Sequence, residues 1–231
     1  MADTMKKGIQ LYKERKFTDA LAAFLEVPSG KPENNLELAY YIGLCYARLE
    51  RHDDALVYLE QVVTADTDLA RVYQCRMLLS VIYTLTGRTR LADFELRKLI
   101  DSGYESVQVF CSLGYIAWET GDVDSSIEWY EKALSLEPAN ATALNGLGYV
   151  LADTGRDLTR ALSFCKKALD SSPDNPAYLD SLGWVYFKLG LSPEAKNHTR
   201  RAREFAPDNQ IIGSHLREIL EHSINSPGAR R

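Results

Sequence analysis

Apolar residues recur at helical spacing along most of the chain, in paired segments separated by glycine or polar residues. The segment ATALNGLGYVLADTG, residues 141–155, places Leu144, Leu147 and Leu151 on one face. The next segment, LTRALSFCKKALD, carries a similar stripe over residues 158–169. Two amphipathic helices joined by a short turn are therefore predicted, and together they form a helical hairpin.

This hairpin pattern recurs through the chain. Gly114, Gly148 and Gly183 occupy the same place in successive copies, at spacings of 34 and 35 residues, and Ser80, Gly43 and Gly8 continue the series backwards. A fixed period of that length is the mark of a repeat architecture. Six hairpins are predicted, at residues 1–34, 36–69, 73–106, 107–140, 141–175 and 176–209.

Glycine, proline and asparagine mark the helix ends. The glycines predicted to end first helices are Gly87, Gly121, Gly155 and Gly190. In four places an asparagine stands two residues after a proline that ends the second helix of a hairpin, and it is predicted to cap the first helix of the following hairpin. These residues are Asn34, Asn140, Asn175 and Asn209. Pro176 suits the first turn of its helix.

The recurring glycines also predict a close approach of the two helices in each hairpin. Gly8, Gly43, Gly114, Gly148 and Gly183 are expected to face Ala20, Ala55, Ser126, Ala161 and Ala195 of the partner helix. Substitution of such a glycine should therefore force the hairpin apart.

The end of the chain departs from the repeat. Residues 210–222 form one apolar-striped segment, predicted to be a helix that covers the exposed edge of the last repeat. Residues 223–231 are expected to be disordered. A single array over residues 1–222 is thus predicted.

The chain resembles the tetratricopeptide repeat family in its pattern of leucine, glycine, tyrosine, alanine and proline. In the fourth repeat the matching residues are Leu113, Gly114, Gly121, Tyr130, Ala133, Leu134 and Pro138. The resemblance covers about nine tenths of the chain and implies an all-α, right-handed superhelical solenoid of about six helix-turn-helix hairpins plus a capping helix. Residues 144–190 resemble bacterial members more than animal ones.

The resemblance also implies a binding groove, because first helices of this family line a concave side. The residues that fall on its groove positions are Tyr12, Lys13, Tyr40, Arg48, Tyr115, Trp118, Glu119, Asn145, Tyr149, Asp153, Asp180, Trp184, Phe187 and Lys188. Two interpretations of the aromatic residues stay open, since rings at helical spacing also pack between neighbouring repeats. A groove rich in aromatic residues would hold a peptide or a partner helix.

One subfamily is not matched. Members that clamp a carboxyl terminus are similar to one another in carrying lysine, asparagine and arginine at fixed groove positions. Here those positions hold Met5, Ile9, Tyr41, Gln74 and Leu78. Carboxyl-terminus clamping is therefore not expected.

Charge changes the picture only locally. The net charge of -5 and the pI near 5.5 argue against nucleic-acid binding. Residues 71–98 nevertheless carry Arg71, Arg76, Arg88, Arg90, Arg97 and Lys98 against two carboxylates. Solvated helix faces are the favoured interpretation, and a docking site for an acidic partner segment is the alternative.

No catalytic motif emerges. The four cysteines have no paired spacing, the four histidines form no metal-ligand pattern, and no phosphate-binding loop or nucleophile elbow occurs. No cofactor, metal or catalytic residue is therefore predicted. A reducing, cytoplasmic location is expected, or a periplasmic one if a leader precedes Met1, and no apolar run is long enough to enter a membrane.

The pattern favours a non-catalytic interaction scaffold or adaptor that binds a peptide or helix of a protein partner in its groove. The alternative is a structural protein that forms homo-oligomers through the edges of its repeats.

Overall fold

The computed structural model describes residues 2–28, 30 and 32–225, and within those ranges every regular element is an α-helix. The first six helices are α1 (Ala2–Lys13), α2 (Phe17–Leu25), α3 (Pro32–Arg48), α4 (His52–Ala65), α5 (Leu69–Leu85) and α6 (Thr89–Asp101). The remaining ones are α7 (Val107–Glu119), α8 (Val123–Leu136), α9 (Ala141–Asp153), α10 (Leu158–Ser171), α11 (Pro176–Lys188), α12 (Ser192–Phe205) and α13 (Gln210–Asn225).

The helices belong to two compact units. Unit 1 ends at Glu105 and contains α1–α6, and unit 2 begins at Ser106 and contains α7–α13. Within each unit, consecutive helices pack together, and each first helix also contacts the first helix of the next hairpin. This arrangement confirms the predicted all-α fold of repeated hairpins, whereas the single array over residues 1–222 stays a prediction.

Asparagine side chains begin α9, α11 and α13 in unit 2. The Oδ1 atoms of Asn140, Asn175 and Asn209 accept hydrogen bonds from backbone N–H groups in the first turns of α9, α11 and α13. The predicted cap at Asn34 is wrong, because α3 already begins at Pro32. Proline tolerates a first helical position, since no intrahelical bond is lost there.

The glycines predicted to end the first helices adopt the left-handed conformation, with φ between 67° at Gly155 and 83° at Gly121. In the first two hairpins the same turn is made by Arg15 and Glu50, whose φ values are 61° and 58°. A side chain disfavours this conformation, so these two turns are more strained than the glycine turns.

The marker glycines lie at close helix contacts, and three of them meet the predicted small residue: Gly114 meets Ser126, Gly148 meets Ala161 and Gly183 meets Ala195. The atom that crowds each glycine most closely nevertheless belongs to another side chain. A Cβ at Gly148 would lie 2.6 Å from Cys165 Sγ and 3.2 Å from the Ala161 carbonyl oxygen. The neighbours nearest to the other four glycines are Phe24, Leu59, Tyr130 and Thr199. Each stands one helical turn beyond the predicted small residue, because side chains on the partner helix tilt toward its N-terminus.

The third hairpin replaces apolar contacts by a polar one. Arg76 Nη1 of α5 donates to Glu95 Oε2 of α6 at 2.5 Å, and both side chains are largely buried. Ser80, which stands in the glycine position, is buried and donates from its hydroxyl to the Met77 carbonyl oxygen. The departures from the repeat pattern are thus satisfied within the hairpin.

The last helix, α13, packs against the last hairpin, as predicted for a helix that covers the exposed edge of that repeat. Ile212 of α13 is buried against Leu179 and Ala202, and Ile219 is also buried. The helix extends to Asn225, three residues beyond the predicted boundary at 222, so residues 223–225 do not belong to a disordered tail. The helix can continue to that point because proline disfavours a helical residue only directly before Pro227. Residues 226–231 lie outside the described part.

Candidate functional site

Unit 1 contains a groove along its first helices, with a volume of about 280 Å³. Its lining residues come from α1, α3 and α5, and they are Tyr12, Leu44, Ala47, Arg48, Gln74, Met77, Leu78 and Val81. Tyr12 and Arg48 were predicted groove residues. The contribution of α5 was not predicted from the sequence. Gln74 and Leu78 were considered only as positions of a carboxyl-terminus clamp, and not as residues that line a groove.

The polar groups of this groove are mostly hydrogen-bond donors. Tyr40 lies beside the groove, and its hydroxyl donates to Gln74 Oε1 at 2.6 Å, which leaves the Gln74 amide NH₂ free to donate. Arg48 is exposed and has no ion pair in the described part of the chain. Burial raises the pKa of Tyr40 to about 12, so this hydroxyl remains protonated at neutral pH.

The arginine-rich stretch over residues 71–98 is not a free basic patch. Ion pairs within unit 1 engage five of its six cations, and only Arg90 has none among the described residues. The shortest of these ion pairs joins Arg76 Nη1 to Glu95 Oε2 at 2.5 Å, and Arg71 Nε lies 2.7 Å from Asp66 Oδ2. These contacts favour the interpretation as structural and solvated helix faces over a docking site for an acidic segment.

Unit 2 brings its predicted aromatic groove residues into one chain of ring contacts across α7, α9, α11 and α13. The ring of Trp118 lies edge-on to Tyr149, with centroids 5.2 Å apart, and Tyr115 lies beside Trp118. Trp184 contacts Phe187 at 5.1 Å. We call the surface formed by Tyr115, Trp118, Glu119, Tyr149, Asp153 and Phe187 the aromatic face.

His215 of α13 joins the two halves of this ring chain. Its imidazole stacks on Trp184 at 4.2 Å, and its Nδ1 lies 2.8 Å from Asp180 Oδ2, so the Nδ1–H donates to the carboxylate. Its Nε2 lies 3.4 Å from the Tyr149 hydroxyl. The sequence pattern predicts no role for His215, yet its side chain is buried. No local pattern indicates this role, because the partners lie 35 and 66 residues away.

Two predicted groove residues are inside unit 2 rather than on its surface. Trp184 is 4% exposed and Asp180 is 5% exposed. Trp184 Nε1 donates to Asp153 Oδ1 at 3.0 Å, and the Lys188 ammonium lies 4.8 Å from the Trp184 ring centroid. A partner could reach Trp184 only if α13 moved, so its role as a binding anchor stays a prediction that requires that movement.

The other predicted residues of unit 2 remain accessible to different degrees. Tyr115 is 41% exposed and Glu119 is exposed, while Trp118, Asn145 and Tyr149 are half-buried. The Oδ1 atom of Asn145 is buried and has no hydrogen-bond partner in the described structure. The exposed end of the aromatic face therefore lies on α7.

Carboxylates surround the centre of the aromatic face. Burial raises the pKa of Tyr149, and the carboxylates of Asp153, Asp180, Glu119 and Glu218 raise it further. Burial also raises the pKa of Tyr115, to which Glu119 adds. The surroundings of both hydroxyls are thus apolar and negatively charged.

Reactive chemistry has little support in the described residues. All four cysteines are buried, and burial raises the pKa of each thiol to about 12, which disfavours the nucleophilic thiolate. Residues 2–28, 30 and 32–225 contain no group of three or more histidine, cysteine or acidic side chains placed to hold a metal. None of the described helices is long and apolar enough to cross a membrane.

Comparisons with known proteins bear on the fold. A family model for the tetratricopeptide repeat matches residues 5–70, 86–141 and 111–176. No curated protein matches the sequence.

Several solved structures have a similar fold, and three of them are compared with this chain. A chain from the Cut9–Hcn1 hetero-tetramer of the APC/C gives a TM-score of 0.72 at 17% identity, covering 94% of this chain and 42% of that one. A tetratricopeptide repeat protein from Parabacteroides merdae gives a TM-score of 0.69 at 15% identity, and the match covers 95% of this chain and 84% of that one. YrrB, a tetratricopeptide repeat protein with an unusual peptide-binding site, gives a TM-score of 0.57 at 17% identity, and the match covers 87% of this chain and 97% of that one. At these identities the likeness concerns the fold alone.

Proposed function

Because the chain belongs to the tetratricopeptide repeat family, we propose that it is a non-catalytic interaction scaffold whose first helices bind a peptide or helix of a partner protein. The observation that carries this proposal is the groove of unit 1, which draws its lining from three successive first helices. Its apolar walls and donor groups suit an amphipathic segment. YrrB, which shares the fold, is a protein with a peptide-binding site, and this supports the same role here.

The energetics favour an apolar anchor in this groove. Met77, Leu78 and Val81 form its α5 wall, and Val81 is 46% exposed. Covering apolar surface of this kind gains about 25 cal/mol per Å² before the entropy cost of ordering the partner is subtracted. A segment that places two or three apolar side chains in the groove is thus expected to bind more tightly than a wholly polar one.

The absence of a catalytic role is part of the proposal. The four thiols are buried and His215 is engaged with Asp180, so these groups offer neither an accessible nucleophile nor a free base. A cytoplasmic location remains the expectation from the cysteine pattern.

A random peptide library displayed on phage, selected on the immobilised protein, tests the proposal. Selected peptides would be synthesised with a fluorophore, and their dissociation constants measured by fluorescence anisotropy. Val81→Asp should weaken the groove-binding peptides at least tenfold, because it places a charge in the apolar wall. Val57→Asp is the matched control, since Val57 is 57% exposed but lies on the second helix α4.

The selection has clear adverse outcomes. If no peptide is enriched, or if Val81→Asp and Val57→Asp have equal effects on every selected peptide, unit 1 does not bind peptides in this groove. Circular dichroism of both variants would confirm that each remains helical.

Self-assembly is the second candidate, and exposed apolar side chains on α5 and α6 favour it. Leu85 is 68% exposed, and Leu91 and Phe94 are also exposed. Light scattering over a range of concentrations tests this candidate, and a mass that stays that of one chain would exclude it.

A further inference from the structure

We infer that the aromatic face of unit 2 is a second binding surface, and that it takes a basic segment of a partner protein through lysine or arginine side chains. The inference rests on the proposed role as an interaction scaffold, and it assigns to unit 2 a partner chemistry different from that of the groove in unit 1.

The first observation is a segregation of charge between the helices of unit 2. The first helices α7, α9 and α11 contain one lysine or arginine, Lys188, against Glu119, Asp153 and Asp180. The second helices α8, α10 and α12 carry eight lysines and arginines against six carboxylates. The cations are Lys132, Arg160, Lys166, Lys167, Lys196, Arg200, Arg201 and Arg203, and the carboxylates are Asp124, Glu128, Glu131, Asp170, Glu194 and Glu204. The first helices, which carry the aromatic rings, therefore bear a net negative charge, whereas the second helices bear a net positive charge.

The second observation is a cation already bound by this surface. The ammonium of Lys188 lies 4.8 Å from the ring centroid of Trp184 and 3.9 Å from Asp153 Oδ1. An aromatic ring with a nearby carboxylate attracts a cation through the ring quadrupole and through charge. Lys188 thus occupies the kind of position that a partner's lysine or arginine would take over the neighbouring rings.

The third observation is that rings and carboxylates remain available for such a partner. Tyr115 is 41% exposed beside Trp118, and Glu119 has no ion pair among the described residues. Glu218 of α13 is likewise exposed and unpaired there. The accessible end of the face therefore combines π surface with uncompensated negative charge.

Unit 1 offers the opposite chemistry. Its first helices α1, α3 and α5 carry Lys13, Arg48 and Arg71, and the groove-lining residues include no carboxylate. A basic segment that binds unit 2 is thus expected to avoid the groove of unit 1, and the two surfaces can be examined separately in one intact protein.

The phage selection also tests this inference. The selected peptides are sorted into two groups, according to which variant of the protein, Glu119→Lys or Val81→Asp, lowers their affinity. Peptides that lose affinity with Glu119→Lys but not with Val81→Asp should be enriched in lysine and arginine. Glu119→Lys should weaken them about tenfold or more, because it places like charges in contact. Glu128→Lys makes the same charge change on the second helix α8 and should alter their affinity less than about twofold.

The contribution of the rings has its own pair of variants. Tyr115→Ala should weaken the binding of the basic peptides by about two- to thirty-fold. The lower value corresponds to a solvent-exposed cation–π contact and the upper one to a desolvated contact. Tyr115→Phe keeps the ring and should retain their affinity. Raising the salt concentration should weaken these peptides, since screening reduces the attraction between exposed charges.

The outcomes separate this inference from the proposed function. If peptides sensitive to Val81→Asp are recovered but none is sensitive to Glu119→Lys, the unit 2 surface is refuted and the groove of unit 1 stands. The inference is also refuted if the peptides sensitive to Glu119→Lys are acidic or neutral, or if Glu128→Lys weakens them equally. If no peptide depends on either surface, both proposals fail.

Discussion

Replacing His215 with leucine should strongly destabilise unit 2. The imidazole is the one hydrogen-bonding partner of the Asp180 carboxylate in the described structure, at 2.8 Å from Oδ2, and Oδ1 has no partner. After His215→Leu this carboxylate would be 5% exposed in the present packing and entirely without a partner. Aspartate must then either remain buried as an unpaired charge or draw water into the hairpin.

The magnitude follows from that loss. Leaving the buried Asp180 carboxylate without its partner, as an uncompensated charge, costs about 3–5 kcal/mol, and losing the stacked contact with Trp184 adds about 0.5–1.5 kcal/mol. A total near 4–6 kcal/mol is a large share of the roughly 5–15 kcal/mol that stabilises a typical domain. The double variant Asp180→Leu/His215→Leu removes the buried charge as well, so it should recover roughly 3 kcal/mol of the loss.

Urea unfolding followed by tryptophan fluorescence measures this effect in the right place. All three tryptophans, Trp118, Trp129 and Trp184, lie in unit 2, so their fluorescence reports the unfolding of that unit. The Asp180→Leu variant completes the double-mutant cycle. Additive losses, in which the double variant is less stable than His215→Leu by the full cost of Asp180→Leu, would show that the pair is not coupled and would refute the reasoning.

Four further changes test other parts of the structure. Gly148→Leu should lower the free energy of unfolding by about 1–3 kcal/mol or more, because its Cβ would lie 2.6 Å from Cys165 Sγ; an unchanged melting midpoint would contradict this contact. Glu50→Gly should raise stability by about 0.5–1 kcal/mol, measured by thermal melting, because it relieves a positive φ of 58°. Deleting residues 210–231 should lower both solubility and the melting midpoint by exposing the surface that α13 covers, and a truncated protein as stable as the parent would contradict the role of α13 as a cover. The four thiols should react with a thiol reagent at neutral pH only after urea is added, since their pKa values near 12 keep them protonated and burial blocks access.

The groove residues show how far a sequence argument reaches toward a site. Position in the repeat placed Tyr12 and Arg48 in the groove of unit 1, and it selected the residues that meet in unit 2. It could not separate Trp184, which is buried beneath His215, from Tyr115, which is exposed, because both occur in first helices with the same apolar spacing. Exposure depends on the neighbouring helix, and the pattern of one helix does not contain that information.

The sequence by itself determined the helices, their turns and their pairing into hairpins. These features depend on interactions within a few residues, such as the cap at Asn140 and the left-handed turn at Gly155, so the local pattern specifies them. The tertiary structure decided the division into two units and the contact of α13 with residues 35 and 66 positions earlier. It also decided which side chain crowds each marker glycine. Such contacts depend on how two packed surfaces fit together, and a periodic pattern records only which surfaces are apolar.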